Sequence, residues 1–483
     1  MTDLTFSTAS ELAEAIRNRQ VTATEVLEAH LAQIARHNPT LNAIVTLDEG
    51  GARQRAQEAD AALERNEVWG ALHGVPVTIK DSFATAGLRT TSGHPPLADY
   101  IPKYDATVVA RLKQAGAILL GKTNLPPLAA DSLTDNAIFG RTNNPWNLER
   151  TPGGSSGGEG AALAAGLSPL GIGSDIGGSV RIPAHYCGLF SIKPTERRVP
   201  NSGHIPPLPG EPNYVHFMPT SGPMARSLAD LRLALRIIAG ADNRDMSVVP
   251  VTLVDIPAKP LNELRLAWSD DFGIPLGGEV RSALEKLAAD LQAAGCKVER
   301  KNPPGFDFDM ARRTYGEVFG SMFFAGLPGA MRMLYPALGP VMFKDTMFRA
   351  AARAARFTAP QLLHALDQRN RLSRALEAFL GGYDAWLCPV TATPAFPHRV
   401  PNRIDWPIDV DGKLVTGAQA GIGFTIMFSL TGHPAVVIPL AHAADGLPIG
   451  VQAVGPLWSE MHLLNVAERL QEITGPFRRP PGY

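Results

Sequence analysis

Apolar residues recur with helical spacing in some stretches of the chain and run together in short blocks in others, and the two patterns alternate along most of its length. Thr8 with Glu11 and Thr22 with Glu25 have the spacing of capping boxes, so two amphipathic helices are expected in the first fifty residues. Leu27, Leu31 and Ile34 share one face of the second, which Asn38-Pro39 is expected to stop. Beyond them, residues 75–79, 117–120, 170–173 and 264–268 are apolar runs of strand length. Between these lie helical stretches at 106–114 (closed by Gly116), 158–165, 228–239 (closed by Gly240) and 279–294 (closed by Gly295). In the last of these Val280, Leu284, Leu287 and Leu291 fall on one face. Such alternation predicts an α/β fold with a central, mixed, twisted sheet covered by helices on both faces.

One region breaks the texture. Residues 303–382 are rich in Met, Phe, Ala and Arg and predict successive helices, before DAWLCPV at 384–390 returns to strand character. The organisation expected is a single domain over residues 1–483. It comprises N-terminal helices to about 70, a core over 71–300, a helical insertion over 303–382 beside a substrate pocket, and a return to the sheet over 384–483.

Composition narrows the class. With 483 residues, 45% of them hydrophobic, and a formal charge of −1, the chain has a large core and no bias toward nucleic acid or anionic membrane. Cys187, Cys296 and Cys388 are too scattered for a disulfide framework or a zinc site, and no segment has the pattern of a signal peptide or membrane span. A cytoplasmic protein is the expectation.

Two short motifs invite misreading. GAILLGKT at 116–123 matches the phosphate-binding expression GxxxxGK[ST], but its four spacer residues are themselves the expected strand, and Pro126 and Pro127 follow where a helix should begin. GGSSG at 153–157 matches the GxSxG nucleophile elbow, yet the polar, proline-broken TNNPWNLERTP precedes it where an apolar strand is needed. His433 and His442 lie late enough to serve such an elbow, although a turn histidine bonded to backbone explains His433 equally well.

The longer pattern is more specific. GGSSGGEGAALAAGLSPLGIGSDIGGSVRIPAHYCGLFSIKPT at 153–195 strongly resembles the signature of the amidase signature family. GVPVTIKD at 74–81, GKTNLPPLA at 121–129, and LTGHPAVVIP with LPIGVQAVG near the C-terminus resemble other blocks of that family. The resemblance implies amide hydrolysis by a Ser-Ser-Lys triad in which Ser179 is the nucleophile, Ser155 the bridging serine and Lys80 the base. It also implies a cis peptide before Ser155. A lysine serves as a base only where burial disfavours its ammonium form, and Val75, Val77 and Ile79 are expected to supply apolar surroundings. The small residues before Ser179 are expected to let the amides of Ile176, Gly177, Gly178 and Ser179 converge on an oxyanion. Supporting roles fall to Ser156, to Asp175 and Arg181 as an ion pair shaping the loop, and none to Cys187, whose neighbours make it a buried apolar residue.

For substrate, the aromatic and Met-rich insertion points to an apolar acyl or aryl group, with Trp146, Phe319, Phe323 and Phe324 as lining residues. Ile176 and RRVPNSGHIPP resemble fatty acid amide hydrolase-like and broad-specificity bacterial amidases, which also cleave esters and carbamates. Glutaminase subunits of tRNA-dependent amidotransferases, the alternative, usually carry Thr at that place. The partner expected is a small-molecule amide, with no cofactor, metal, nucleic acid or membrane span, and the chain is expected to be a monomer or homodimer.

Overall fold

The computed structural model describes residues 3–327, 329–399 and 406–483. Its centre is an eleven-stranded sheet. In chain order the strands are β1 (Ile44–Leu47), β2 (Pro76–Lys80), β3 (Ile118–Thr123), β4 (Leu170–Asp175), β5 (Phe190–Lys193), β6 (Thr220–Ala225), β7 (Arg265–Trp268), β8 (Lys297–Arg300), β9 (Ala385–Pro389), β10 (Ala435–His442) and β11 (Pro448–Val454). Across the sheet they run β1-β3-β2-β4-β6-β5-β10-β11-β9-β7-β8. The pairs among β3, β2 and β4, and among β9, β7 and β8, are parallel, and the remaining pairs antiparallel. The sheet is therefore mixed and flanked by helices, as the alternation predicted.

The helices are α1 (Ala9–Arg17), α2 (Ala23–Leu41), α3 (Glu49–Glu64), α4 (Thr107–Gln114), α5 (Gly157–Ala164), α6 (Arg181–Cys187), α7 (Leu228–Ile238), α8 (Gly278–Ala293), α9 (Phe308–Phe323), α10 (Gly329–Met342), α11 (Thr346–Ala354), α12 (Ala359–Leu380), α13 (Gly417–Ile422), α14 (Ile426–Thr431) and α15 (Glu460–Thr474). Both capping boxes form, at Thr8/Glu11 and Thr22/Glu25. The apolar faces chosen by period are buried, Leu27, Leu31 and Ile34 in α2 and Val280, Leu284, Leu287 and Leu291 in α8.

Three boundaries differ from expectation. Helix α2 passes through Asn38-Pro39 to Leu41, because a proline in the last turn forfeits only one backbone bond and Asn42 closes the helix at φ +51°, its amide donating to the Asn38 carbonyl at 2.7 Å. Strand β3 continues through Gly121-Lys122-Thr123, so the GKT end of the phosphate-loop expression is extended backbone and not a loop. Lys122 is buried, donating to the Phe83 carbonyl at 2.6 Å and Thr90 Oγ1 at 2.9 Å, with Asp81 at 3.6 Å. Strand β4 extends two residues beyond 173, and this places Ser174 and Asp175 on the sheet.

Helices α9 and α11 pack closely where Gly316 and Gly320, one turn apart, turn to α11, and a Cβ on either would collide with the carbonyl oxygens of Met347 and Ala351. No helix among the described residues is long and apolar enough to cross a membrane. Substituting Gly320 by Leu should force α11 off α9 and lower stability by about 1–3 kcal/mol, seen as a reduced urea midpoint; an unchanged midpoint would show that the contact is not tight.

Candidate active site

Strand alternation turns Thr78 and Lys80 toward α5 and sends Val77 and Ile79 to the opposite face. The valines and isoleucine near Lys80 in sequence therefore do not surround its amine, contrary to expectation. Polar side chains do: Lys80, fully buried, donates from Nζ to Ser155 Oγ at 2.6 Å and to Ser174 Oγ at 3.0 Å. Burial drives its pKa down to about 7, against the pull of Asp175 and Glu159 in the other direction. Ser174 escaped the sequence reading, although it directly precedes Asp175 and alternation gives the two opposite faces.

Ser155 follows a cis Gly154–Ser155 peptide and stands two residues ahead of α5. Ser156 occupies the N-cap position of α5 but makes no side-chain cap bond. Its hydroxyl donates to the Ser174 carbonyl at 3.4 Å and its amide to the Ser179 carbonyl at 3.2 Å, which ties the two serine loops together.

The second loop is built around Asp175 and Arg181. The guanidinium grips the carboxylate with two bonds, Nε to Oδ2 at 3.0 Å and Nη2 to Oδ1 at 2.9 Å, and neither side chain is exposed. Arg181 is satisfied further by the Thr425 carbonyl, Gln452 Oε1 and Ser429 Oγ. Burial pushes the Asp175 carboxyl up, but Arg181, Lys193 and the Gly178 amide together hold it below the usual carboxylate range. The ion pair expected to shape the loop is thus present.

Asp175 also corrects one expectation about the amides. Gly178, at φ +122° with Thr425 too close for any Cβ, donates its N–H to Asp175 Oδ1 at 2.7 Å, and Val180 donates to Oδ2 at 3.2 Å. The Gly178 amide therefore does not point into the site. The amides of Ile176, Gly177 and Ser179 meet no acceptor among the described residues. One of their peptide planes, the one that carries the Gly177 amide, is pinned from behind by Tyr315 Oη, which donates to the Ile176 carbonyl at 3.1 Å. Thr425 Oγ1 donates to the Gly177 carbonyl at 2.5 Å and so holds the plane that turns the Gly178 amide to Asp175. Tyr315 and Thr425 lie 139 and 248 residues away in sequence, so no local pattern announces them.

Ser179, 8% exposed, sits where two cavities meet. One, of about 720 Å³, is lined by Ser155, Ser174, Ser179, Asn201, His204 and Asn213 among others. The other, of about 1330 Å³, has aromatic walls that include Tyr315, Phe324, Tyr335, Phe343, Phe348 and Trp406. Phe319 and Phe323 line both, and no Lys or Arg lines either among the described residues. Trp146 is elsewhere: its indole donates to the Cys187 carbonyl at 2.9 Å and its ring packs on His442, because the turn beginning at Asn144 aims it at the end of α6. His433 meets the Glu377 carboxylate at 2.8 Å, with the Thr431 backbone acting on it as well, and neither it nor His442 lines these cavities. Cys187 is buried, and burial pushes its thiol up.

Comparison with known proteins adds to this geometry. The amidase family model matches residues 25–464. The A-type subunit of glutamyl-tRNA(Gln) amidotransferase from Roseiflexus sp. (strain RS-1) is 34% identical over 501 residues, covering 100% of this chain and 99% of the relative. Among solved structures, 6-aminohexanoate cyclic dimer hydrolase complexed with substrate superposes with a TM-score of 0.82 at 27% identity, covering 99% of each chain. A bacterial aryl acylamidase of the amidase signature enzymes superposes with a TM-score of 0.83 at 25% identity, covering 98% of this chain and 97% of that one.

Replacing Asp175 by Ala would leave Arg181 buried without its carboxylate, a change that costs about 3–5 kcal/mol. Urea unfolding of the variant should show a loss of that order; a loss under about 1 kcal/mol would mean that the pair behaves as an exposed one.

Proposed function

Because the chain belongs to the amidase signature family, we propose that it hydrolyses carboxylic amides bearing an apolar acyl or aryl group, through an acyl-enzyme on Ser179. The observation that carries this reading is the buried Lys80, 2.6 Å from Ser155, beneath a cavity that Ser155 and Ser179 both line. Serine is a weak nucleophile until a base takes its proton, and a lysine is a base only in its neutral form. Ser179 Oγ attacks the amide carbon as its proton passes to Ser155 and the Ser155 proton passes to Lys80 Nζ. The carbonyl oxygen, now an oxyanion, is met by the amides of Ile176, Gly177 and Ser179, of which Tyr315 fixes the Gly177 amide in advance through the Ile176 carbonyl. The relay then reverses: Lys80 returns a proton through Ser155 to the nitrogen, the C–N bond breaks, and the amine leaves. Water, activated by the same groups, releases the acid from Ser179.

The aromatic cavity supports an apolar acyl or aryl group, and an acyl-enzyme route extends naturally to esters and carbamates. The 34% identity to the glutamyl-tRNA(Gln) amidotransferase relative favours a second reading, release of ammonia from glutamine within a complex. Against it stands the absence of Lys and Arg from the described lining of both cavities, which leaves the free carboxylate of glutamine without a cationic partner. The preferred reading has the chain act on a small molecule in the cytoplasm, as a monomer or homodimer.

With purified protein and no partner, an aryl anilide or fatty acid amide should be turned over and glutamine should not; the reverse preference would establish the second reading. Ser179→Ala and Lys80→Ala should each lower kcat by at least about 10³-fold with circular dichroism unchanged, and near-normal turnover by either would refute its role. Since Lys80 must be neutral to accept a proton and its pKa lies at about 7, kcat/KM should fall as pH drops below that value and level off above it. A profile flat from pH 5 to 9 on these axes would contradict the assignment of the base.

A further inference from the structure

Glu159 is a fully buried carboxyl that the relay above does not use. It lies in the first turn of α5, and its Oε2 accepts from Thr78 Oγ1 at 2.7 Å. Thr78 is paired in register with Gly171 of β4, and the carboxyl rests against Gly171 so closely that a Cβ there would overlap it. One side chain of the helix behind Ser155 thus touches both the strand bearing Lys80 and the strand bearing Ser174.

The spacing has a consequence for the relay. Glu159 sits in the first turn of the helix that Ser155 precedes by two residues, and Lys80 follows Thr78 by two residues, about 6.6 Å along a strand, so the Glu159–Thr78 and Ser155–Lys80 hydrogen bonds join the same two segments. Fixing Glu159 on Thr78 therefore holds the start of α5, and the serine just ahead of it, against β2. We propose that Glu159 is a positioning residue that sets Ser155 against Lys80, acting through hydrogen bonds and not through charge. The inference rests on the triad reading given above.

The electrostatics are consistent with it. Burial pushes the Glu159 carboxyl up to about 8, against the opposing influence of Thr78, Thr123, Lys80 and Lys122, so the group is mostly a neutral acid at pH 7. The acidic groups acting on Lys80 are Asp175 from β4 and Glu159 from α5. Of the two, Asp175 has the larger influence on Lys80.

The test compares Glu159→Ala, Glu159→Gln and Thr78→Val with the wild type on one aryl anilide, measuring kcat, KM and the pH limb, with an alkyl fluorophosphonate reporting on Ser179. Glu159→Ala and Thr78→Val should each lower kcat at least tenfold with KM changed less than threefold. Glu159→Gln, neutral and of the same shape, should restore kcat to within about fivefold and leave the midpoint of the acid limb in place. If Glu159→Ala does not fold, Thr78→Val decides alone. Wild-type kcat in a folded Thr78→Val or Glu159→Ala protein would overturn the proposal, as would a downward shift of the limb by one pH unit in Glu159→Gln, the mark of a lost negative charge. Labelling of wild-type Ser179 alongside such a result would confine the failure to Glu159; no labelling of Ser179 would overturn the triad reading as well.

Discussion

Placing a lysine amine where water cannot reach it is the constraint on which this architecture turns. An isolated ammonium inside a protein is costly, so the group shifts toward its neutral form unless carboxylates oppose the shift. Here both influences act: Lys80 is fully buried, while Asp175 and Glu159 pull its pKa back up. The balance near neutrality depends on Asp175 being committed to Arg181 and to two backbone amides, which spread its charge into the loop. A carboxylate turned directly on Lys80 would keep the amine charged and useless as a base.

The same ion pair orders the loop that ends in Ser179. Asp175 draws in the amides of Gly178 and Val180, and Tyr315 and Thr425 hold the carbonyls of Ile176 and Gly177, so the loop backbone is fixed from both sides. Tyr315 belongs to α9, whose Phe319 and Phe323 wall both cavities. One helix therefore positions loop backbone with one residue and shapes the binding space with the next two turns. That arrangement links the helical insertion to the chemistry as well as to substrate fit.

Much of this was legible in the sequence wherever the cause was local. The capping boxes, the apolar faces of α2 and α8, and the strand character of β2, β7 and β9 follow from neighbours within a few residues. The serine loops and Lys80 stood out because a long, separated set of blocks resembles one family. The features missed depend on contacts between distant parts of the chain. Tyr315 and Thr425 have no signal near residue 176, and Ser174 gained its place only when β4 ran two residues further than its apolar run. Gly178 looked like a donor to substrate until Asp175 claimed its amide, and Trp146 was an aromatic residue in the right region aimed the other way. Around Lys80, sequence neighbours were mistaken for spatial ones, because strand alternation turns Val77 and Ile79 away.

The proposed chemistry stands or falls on the protonation of one amine. Titration of Lys80 in the intact protein by NMR, with ¹³C-labelled lysine and the Lys80→Ala variant to assign the signal, measures it directly. A midpoint near 7 is the result predicted, and a midpoint near 10.5, the ordinary value for lysine, would contradict the claim that the fold holds Lys80 as a base.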